Sequence, residues 1–568
     1  MTSWRLSDVD EAVASGLASE LRLRPVTARV LVSRGFTEAG RIARFLAPRL
    51  ADLRPPDGIA DLDRALDRLA AALGAGETIG VFGDCDVDGV TSAAVLATGL
   101  RAFGARVVPR VASRQSGYGL PPGEVDTFVG AGCRLIVTGD CGTSDVAALL
   151  RARELGIDVI VIDHHQVPSG ERLAYAMINP HQPADRFPFK GLASCGIAFY
   201  MMAALRTRLG STRLDPKELL DLVALGTIAD LVPLVEENRI LVAQGLRVLG
   251  SRKRPGVRAL MELAELPDGV PSAEDVSFRL TPRLNAAGRL GDAQIALDLL
   301  LATDDAEATR LAATIDDLNR ERQRIQEQVW QEALAEAVVW AEAPAVVVGA
   351  AGWHHGVVGI IAARLVDRFQ RPAVVVAFDG EVGRGSARTT GGVNLYETLS
   401  VCAPLLERYG GHAGAAGMTV SSSQMNAFRE AFLAEVAAVH HRAGGRAAPE
   451  VLVDGILDLA EIDLGLAEEL DRLAPFGVEN REPVLALPGL TATDTRVVGQ
   501  GHLRLTVARG RAQGDAIAFN MAEQDPGRGA VVDLIAVADL DTFRGVRRAR
   551  LRVKHLMRSL PAAATPSP

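Results

Sequence analysis

Four apolar runs of this chain end in side chains that bind hard metal ions. The runs lead into GDCDVDG (83–89), TGDCGT (138–143), VIDHHQ (161–166) and ALGTIADLVPL (224–234). Together they supply the candidate ligands Asp84, Asp86, Asp88, Asp140, His164 and Asp230. Carboxylate and imidazole ligands suit Mn²⁺ or Mg²⁺ better than the softer sites typical of structural zinc. The pattern predicts a divalent-metal centre that cleaves phosphate esters.

The number of acidic ligands indicates more than one metal ion. Five carboxylates would repel one another strongly, and one cation would leave much of that charge unneutralised. We therefore expect two ions, about 3.5–4 Å apart, that lower the pKa of a shared water and neutralise phosphoryl oxygens. Asp140 is the predicted bridging ligand. A single Asp at a strand end is more often a helix cap or turn former, and DxDxDG also resembles a calcium loop, although the bidentate Glu of an EF-hand is missing.

Alternating strands and helices must position these ligands. The apolar runs ETIGVFG (77–83), RLIVTG (134–139) and DVIVID (158–163) are separated by helical stretches. Such alternation predicts a parallel sheet that is covered on both faces. Ligands then collect beyond the carboxyl ends of the strands, where each acidic motif lies.

The rest of the chain predicts further domains, because 568 residues are too many for one core. The stretch 303–342 reads as one long helix without Gly or Pro up to residue 340, and HHRAGGRAAPE (440–450) reads as a linker. The expected divisions are a helical region at 1–75, an α/β domain with the metal motifs at 76–302, the long helix, a smaller α/β domain at 343–440, a β-barrel or sandwich at 450–560 and a disordered tail at 561–568.

Composition narrows the class of protein. Five scattered cysteines do not form a disulfide framework, no apolar run reaches the ~20 residues of a membrane span, and the N-terminus lacks a signal-peptide pattern. We therefore expect a cytoplasmic protein without a membrane partner. The net charge of -9 argues against indiscriminate polyanion binding but leaves room for a local basic groove.

Several motifs beyond the metal ligands carry a family resemblance. They include SRQSGYGL (113–120), RLNAAGRLGDA (283–293), GRGSAR (383–388), YGGHAGAAG (409–417) and PFGVENREPVL (475–485). With DxDxDG and DHH, they make the chain, from about residue 20 to 555, resemble the DHH phosphoesterases and, among them, the RecJ-type single-strand exonucleases. The resemblance implies a DHH core, a DHH-associated second domain and an OB-fold-like barrel. It also implies that the six candidate ligands form the metal site, that His165 lies near the scissile phosphate, and that the catalytic residues are Asp86, Asp88, Asp140, His164 and His165.

Two segments are candidates for anchoring a phosphate. GRGSARTTGG (383–392) reads as a glycine-rich loop in which backbone N–H groups join Arg384, Ser386 and Arg388, although a plain solvent loop is the alternative. The nearby glycines around His412 let a backbone approach a ligand closely. RLNAAGR places Arg283, Asn285 and Arg289 around a small-residue turn, where capping and packing are the alternative roles. By the resemblance, Arg289, Ser386 and Arg388 grip a terminal 5′-phosphate.

Two further segments are candidates for contacting a single strand. Arg114 and Tyr118 lie in RQSGYGL, where the tyrosine can stack on an unpaired base or simply pack. In RGVRRARLRVKHLMR (544–558), alternation puts one basic face on a strand, formed by Arg548, Arg550, Arg552 and Lys554. A solvated strand face is the alternative to a surface that follows a phosphate backbone.

The leading hypothesis is a two-metal exonuclease that degrades single-stranded DNA from the 5′ end to mononucleotides, in repair and recombination. Polarity and the preference for DNA come from the resemblance, as do the expected partners, a single-strand-binding protein and a RecQ-type helicase, and we expect a monomer. The alternatives are a small-substrate DHH phosphodiesterase, acting on oligonucleotides or signalling nucleotides, and a non-catalytic single-strand-binding replication factor.

Overall fold

The N-terminal region contains a strand as well as helices. The computed structural model describes residues 3–113, 118–443, 450–543 and 546–558. Its first elements are β1 (Ser3–Leu6), α1 (Glu11–Leu21), α2 (Pro25–Ser33), α3 (Ala39–Leu46) and α4 (Leu62–Ala75). Strand β1 pairs in parallel with Glu450–Val453, near the other end of the chain. The predicted helical region at 1–75 thus also contains one strand, because β1 pairs with a segment far away in sequence, a contact that local sequence does not encode.

This region also divides between two cores. Leu31 on α2 and Ile42 on α3 are buried with the apolar residues of the C-terminal barrel. Leu66 and Leu69 on α4 are buried instead with the first parallel sheet. The first 75 residues thus contribute to the cores of both the C-terminal barrel and the first parallel sheet.

The first α/β domain is built on a five-stranded parallel sheet in the order β3-β2-β4-β5-β6. Val81, Val137 and Ile160 in its central strands are fully buried, as expected for a sheet that is covered on both faces. The elements are β2 (Thr78–Gly83), α5 (Val87–Ala102), β3 (Arg106–Val111), α6 (Pro122–Gly130), β4 (Cys133–Gly139), α7 (Val146–Glu154), β5 (Asp158–Ile162), β6 (Ala176–Ile178) and α8 (Ser194–Arg208). The predicted fold class is confirmed in this domain.

A helical stretch completes the first domain and leads to the second. Its helices are α9 (Leu220–Ala229), α10 (Glu236–Gly250), α11 (Pro255–Leu263), α12 (Ala273–Asp275), α13 (Thr281–Leu290), α14 (Gln294–Leu301) and α15 (Asp305–Ala337). Asp304 caps α15 by accepting a hydrogen bond from the Glu307 N–H. Leu311 of α15 is buried in the first domain, whereas Val329 is buried in the second, so one continuous helix connects both cores.

The second domain has a mixed five-stranded sheet in the order β10-β11-β9-β8-β7. Its elements are β7 (Val346–Ala351), α16 (Val358–Phe369), β8 (Ala373–Asp379), β9 (Val382–Arg388), α17 (Leu395–Val401), β10 (Arg408–Gly411), β11 (Ala415–Ser421) and α18 (Met425–Arg442). Strand β9 pairs with β8 on one side and β11 on the other. Residues 383–388 are therefore a central strand, and the prediction of a glycine-rich loop there is wrong.

The C-terminal domain contains a closed β-barrel of five strands, β14 to β18. The elements of the domain are β12 (Glu450–Val453), β13 (Gly455–Ile456), α19 (Leu464–Asp471), β14 (Leu485–Val498), β15 (His502–Arg509), β16 (Ala512–Ala518), β17 (Val531–Phe543) and β18 (Val546–Arg558). Pairing of β14 with β17 closes the barrel. No helix among the described residues is long and apolar enough to span a membrane. The predicted tail at 561–568 and most of the predicted linker, residues 444–449, lie outside the described residues.

Candidate metal centre and phosphate anchor

The register of the first sheet brings three aspartates side by side. Gly83 at the end of β2 pairs with Gly139 at the end of β4, and Gly139 pairs with Ile162 at the end of β5. The next residue on each of these strands is an aspartate: Asp84, Asp140 and Asp163. Neighbouring parallel strands that end in register therefore create a row of carboxylates, as the sequence pattern predicts.

The loop after β2 turns back tightly on itself because it is bounded by glycines. A side chain at Gly83 would lie 2.2 Å from the carbonyl oxygen of Gly89, which no residue with a Cβ could tolerate. Asp86 caps α5 by accepting a hydrogen bond from the Gly89 N–H at 3.1 Å. The capping role expected of an ordinary strand-end aspartate is thus real for Asp86, and it fixes this carboxylate at the metal centre.

Two sets of donor atoms that share no residue lie close enough to hold two cations, and a third group, Asp140, His164 and His165, overlaps both. Within each set the ligand atoms are within 4.8 Å of one another; the first is Asp84, Asp86 and Asp140, and the second is Asp88, His164 and Asp230. Asp140 Oδ1 also lies 3.4 Å from His164 Nε2, in the second set. Asp140 therefore lies between the two sets, where a bridging ligand has to be. It adopts a left-handed backbone conformation with φ of 65°, a strain often found at functional residues.

The electrostatics of the cluster fit divalent cations. Burial, followed by repulsion from Asp88 and Asp86, raises the pKa of Asp140 well above its ordinary value and that of Asp230 to about 9. Burial lowers the pKa of His164, which favours the neutral ring that binds metals. His164 Nε2 and Asp230 Oδ2 are buried 3.4 Å apart, and neither makes a hydrogen bond among the described residues. A cation between them would satisfy both atoms.

The start of helix α8 supports the cluster. The Ser194 and Cys195 N–H groups donate to the two carboxylate oxygens of Asp88 at 2.7 and 3.0 Å, and Ser194 Oγ donates to Asp140 Oδ1 at 3.0 Å. A helix N-terminus favours negative charge, so it offsets part of the repulsion. Sequence reasoning missed Ser194, since a serine that opens an apolar helix is a weak signal.

Asp163 orients the two histidines and does not join either set of donors. Its Oδ1 accepts hydrogen bonds from the backbone N–H of His164 at 2.8 Å and from His165 Nδ1 at 2.7 Å, and its Oδ2 accepts one from the Thr143 N–H. Burial raises the pKa of Asp163, but these bonds outweigh it and hold the pKa at about 2. Burial likewise lowers the pKa of His165, yet the pair with Asp163 raises it above its ordinary value. His165 thus keeps one ring nitrogen on Asp163 and leaves Nε2 for a substrate.

Tyr118 and His412 extend the site towards the second domain. The Tyr118 hydroxyl lies 3.0 Å from both the Asp140 carbonyl oxygen and His165 Nδ1, so the predicted base-stacking residue has its hydroxyl at the metal centre. The residue as a whole is still 56% exposed, and stacking on a base stays a prediction. His412, in the turn between β10 and β11, stacks on His165 with ring centroids 6.5 Å apart. Arg114 lies outside the described residues.

The predicted phosphate-binding side chains meet at the N-terminus of α16. A side chain at Gly359 would lie 3.1 Å from Ser386 Oγ and 3.2 Å from the Arg388 guanidinium. Arg289 donates to the Gly356 carbonyl oxygen at 2.9 Å, in the turn that leads into the same helix. Burial lowers the pKa of Arg388, a cost that a bound anion would relieve. We call Arg289, Ser386, Arg388 and this helix end the anchor, as the candidate site for a phosphate.

The anchor adjoins the metal loop through helix α13. A side chain at Gly288 would lie 2.5 Å from the Cys85 carbonyl oxygen, so glycine lets α13 pack directly on the loop that carries Asp84 and Asp86. Arg289 is the next residue. The prediction of a small-residue turn at 283–289 is wrong, because this segment is helical from Thr281 to Leu290.

Three other residues that were predicted to bind phosphate or DNA are not part of the anchor. Arg283 is ion-paired with buried Asp316 at 2.9 Å, which is a packing role, and Asn285 is half-buried on α13. Arg384 is exposed on β9, about 13 Å from Arg388 at ~3.3 Å per residue. The backbone N–H groups of β9 cannot serve the anchor as predicted, since the strand is paired on both sides.

The basic strand of the barrel carries its own counterions. Arg548 pairs with Asp515 and Asp541, and Arg550 pairs with Asp539 and Asp541. Arg552 and Lys554 both pair with Glu482. The strand has the predicted basic face, and acids on neighbouring segments pair with every one of these side chains. Its contact with a phosphate backbone stays a prediction.

Comparison with known proteins matches all three domains. The model of the DHH family, N-terminal domain, matches residues 78–227, that of the DHHA1 domain matches residues 342–438, and that of the RecJ OB domain matches residues 453–555. These boundaries follow the first sheet, the second sheet and the barrel.

Relatives that match over most of their length indicate the same family. The chain is 37% identical over 555 residues to the single-stranded-DNA-specific exonuclease RecJ of Dickeya dadantii, covering 93% of this chain and 95% of the relative. The crystal structure of Thermus thermophilus RecJ in complex with Mn²⁺ superposes with a TM-score of 0.84 at 32% identity, covering 98% of this chain and 80% of that one. The same protein in complex with Mg²⁺ gives a TM-score of 0.79 at 31% identity, with 99% and 79% covered. The chain therefore belongs to the RecJ family of DHH phosphoesterases.

Proposed function

We propose that this chain is a metal-dependent exonuclease that hydrolyses single-stranded DNA from its 5′ end and releases mononucleotides during repair and recombination. The observation that carries the proposal is the meeting of two sites: a cation-binding cluster on the first domain and a phosphate anchor on the second, joined through Gly288 and Arg289. Relatives at this level of identity are named single-stranded-DNA-specific exonucleases.

The six candidate ligands would bind two Mn²⁺ or Mg²⁺ ions. Asp84 and Asp86 would hold one ion, Asp88, His164 and Asp230 the other, and Asp140 both. When bound, the ions supply an activated water and neutralise charge on the phosphoryl oxygens. Chelation should therefore abolish activity, and either cation should restore it.

The protein's own residues position the scissile phosphate. Asp163 fixes the ring of His165, whose Nε2 can donate a hydrogen bond to a phosphoryl oxygen. His412 of the second domain stacks on the ring of His165 and can contact the same phosphate. Ser194 and the α8 N-terminus hold Asp88 and Asp140 in place, so the ligands need no rearrangement when substrate enters.

The anchor accounts for cleavage at the end of a strand. Arg388 and Arg289 are forked donors suited to phosphate, Ser386 adds a hydroxyl, and the α16 N-terminus favours an anion. A 5′-phosphate held there places the first phosphodiester bond towards the metal centre. Release of one nucleotide and a shift of the strand would then repeat the cycle.

The cellular setting is the finer part of the proposal and depends on family membership. We place the chain in the cytoplasm as a monomer that acts with a single-strand-binding protein and a RecQ-type helicase. Pull-down of each partner and light scattering of the purified protein test these statements independently of catalysis.

The direct test is degradation of a long single strand labelled at either end, with Mn²⁺ and Mg²⁺ compared. We expect a 5′ label to appear at once in mononucleotides, whereas a 3′ label stays on progressively shorter strands. Duplex of the same sequence with blunt ends is the control and should persist. Rapid turnover of dinucleotides without shortening of the long strand would instead support a small-substrate phosphodiesterase.

A further inference from the structure

One candidate metal ligand is held less directly than its neighbours. Asp86 and Asp88 accept hydrogen bonds from backbone N–H groups, and Asp140 accepts one from the hydroxyl of Ser194. Asp230 Oδ2 is buried and makes no hydrogen bond among the described residues. The position of this carboxylate therefore depends on the backbone that carries it.

That backbone turns sharply directly after the ligand. Asp230 ends helix α9, and the next residue, Leu231, adopts a left-handed conformation with φ of 61°. Leucine keeps this costly conformation only where the surrounding structure holds it. The Leu231 side chain is itself 67% exposed, so its own burial does not supply the restraint. The restraint has to come from the rest of residues 231–235, which join α9 to α10 and which we call the ligand loop.

The ligand loop is held from two domains. Within the first domain, Asn238 on α10 donates a hydrogen bond to the Pro233 carbonyl oxygen at 3.0 Å. From the C-terminal domain, the Val478 carbonyl oxygen accepts a hydrogen bond from the Leu234 N–H at 2.8 Å. Leu234 is buried, and a side chain at Gly477 would lie 2.7 Å from its Cδ1 atom. The C-terminal domain thus packs directly on the loop that follows a metal ligand.

The part of the C-terminal domain that touches the loop is itself firmly fixed. Arg239, on α10 of the first domain, is only 2% exposed. Its guanidinium donates hydrogen bonds to the four carbonyl oxygens of residues 472–475, which follow helix α19, at distances between 2.8 and 3.5 Å. Asn480 donates to two of the same oxygens. Carbonyl oxygens at a helix end lack helical partners and favour a cation, so Arg239 ties this segment to the first domain. We call residues 472–480 the bracing segment.

We propose that the bracing segment is a positioning element for the metal centre. By fixing Leu234 it fixes the turn at Leu231, and through that turn the carboxylate of Asp230. The inference rests on the proposed function, because it takes Asp230 as a ligand of the second of two ions. The second set of donors then depends on the C-terminal domain for its full affinity, whereas the first set does not contain Asp230 and is independent of it.

The experiment measures Mn²⁺ binding to the full chain by isothermal titration calorimetry in the absence of DNA. Gly477→Val places a side chain where Leu234 lies and should displace the ligand loop. We expect the wild type to bind two ions. The variant should bind one of them at least about tenfold more weakly, the usual effect of losing a group that orients a ligand, and the other within about twofold of wild type. Asp230→Asn, which removes the ligand itself, should weaken the same ion.

Two further variants separate positioning from a general loss of structure. Gly477→Ala adds only one carbon atom, and we expect it to weaken the same ion by less than Gly477→Val does. Gly16→Val is the matched control, because nothing lies within 4 Å of a side chain added at this exposed position of α1. It should bind both ions like the wild type. Thermal unfolding of each protein without metal shows whether it is folded.

Two results would overturn the inference: unchanged affinity for both ions in folded Gly477→Val, and equal losses for the two ions. If Gly477→Val does not fold, the same criteria are applied to Gly477→Ala. Binding of a single ion by the wild type, or unchanged binding of both ions by Asp230→Asn, would instead refute the two-ion assignment, and the inference with it. Failure of the inference alone therefore differs from failure of the proposed function.

Discussion

The metal centre and the basic barrel strand are both clusters of like charge in the sequence, but they differ in whether side chains of opposite charge surround them in the structure. At the metal centre, the carboxylates of Asp86, Asp88, Asp140 and Asp230 converge, and among the described residues only the imidazoles of His164 and His165 form ion pairs with them. On the barrel, each basic side chain of β18 from Arg548 to Lys554 has a carboxylate partner.

The difference distinguishes a ligand site from a structural network. Burying like charges without counterions is costly, so such a cluster persists where a ligand of opposite charge supplies the compensation. Paired charges need no ligand, and a phosphate that approaches β18 has to compete with Asp539, Asp541 and Glu482. The predictions below follow this contrast from the largest expected effect to the smallest.

Loss of the shared ligand should remove catalysis. We expect Asp140→Ala to lower kcat by at least about 10³-fold, while single-strand binding persists, since the first set of donors loses a member and the carboxylate next to His164 of the second set is removed. Degradation of a 5′-labelled strand in Mn²⁺ measures this loss. Asp379→Ala, an exposed aspartate at the end of β8, is the control, and near-normal activity of Asp140→Ala would refute the assignment of the cluster.

Loss of an anchor side chain should weaken binding of the 5′ end of the DNA strand without changing metal binding. Arg388→Ala should raise KM for 5′-phosphorylated strands by about 10- to 100-fold, the value of one or two charged hydrogen bonds, and should change unphosphorylated strands much less. Arg384→Ala, on the same strand but exposed, should have a small effect on both. Equal losses on both kinds of end would argue against the anchor.

Tyr118 should make a smaller contribution through a single hydroxyl. Tyr118→Phe removes the hydrogen bond to the Asp140 carbonyl oxygen, and we expect kcat to fall about three- to tenfold. Tyr396→Phe, an exposed tyrosine of the second domain, should behave like wild type. An unchanged kcat for Tyr118→Phe would show that the hydroxyl does not contribute to catalysis.

The barrel strand should matter for stability more than for DNA. Arg552→Ala leaves Glu482 without its closest partner, and we expect the free energy of unfolding in urea to fall by about 1–3 kcal/mol. Single-strand affinity should change by less than about twofold, and Arg509→Ala, which breaks an exposed pair with Asp458, should cost under about 0.5 kcal/mol. A tenfold loss of DNA affinity with stability intact would restore the basic strand as a DNA-binding surface.

The sequence alone determined the row of ligands. Short β-rich runs that alternate with helices favour a covered parallel sheet, and parallel strands that end in register bring Asp84 and Asp140 together. Because this information is local and periodic, the motifs, the fold class and the candidate ligands followed from residue types and spacing.

Only the tertiary structure decided how the remaining charged and glycine-rich segments are used. Residues 383–388 became a central strand because β8 and β11 both paired with it, and glycine at 288 served helix packing against the metal loop. The counterions of β18 come from distant segments, such as Glu482. The physical reason is the same in each case: pairing, packing and charge compensation depend on neighbours that are distant in sequence, whereas metal ligands at strand ends depend on the strand that precedes them.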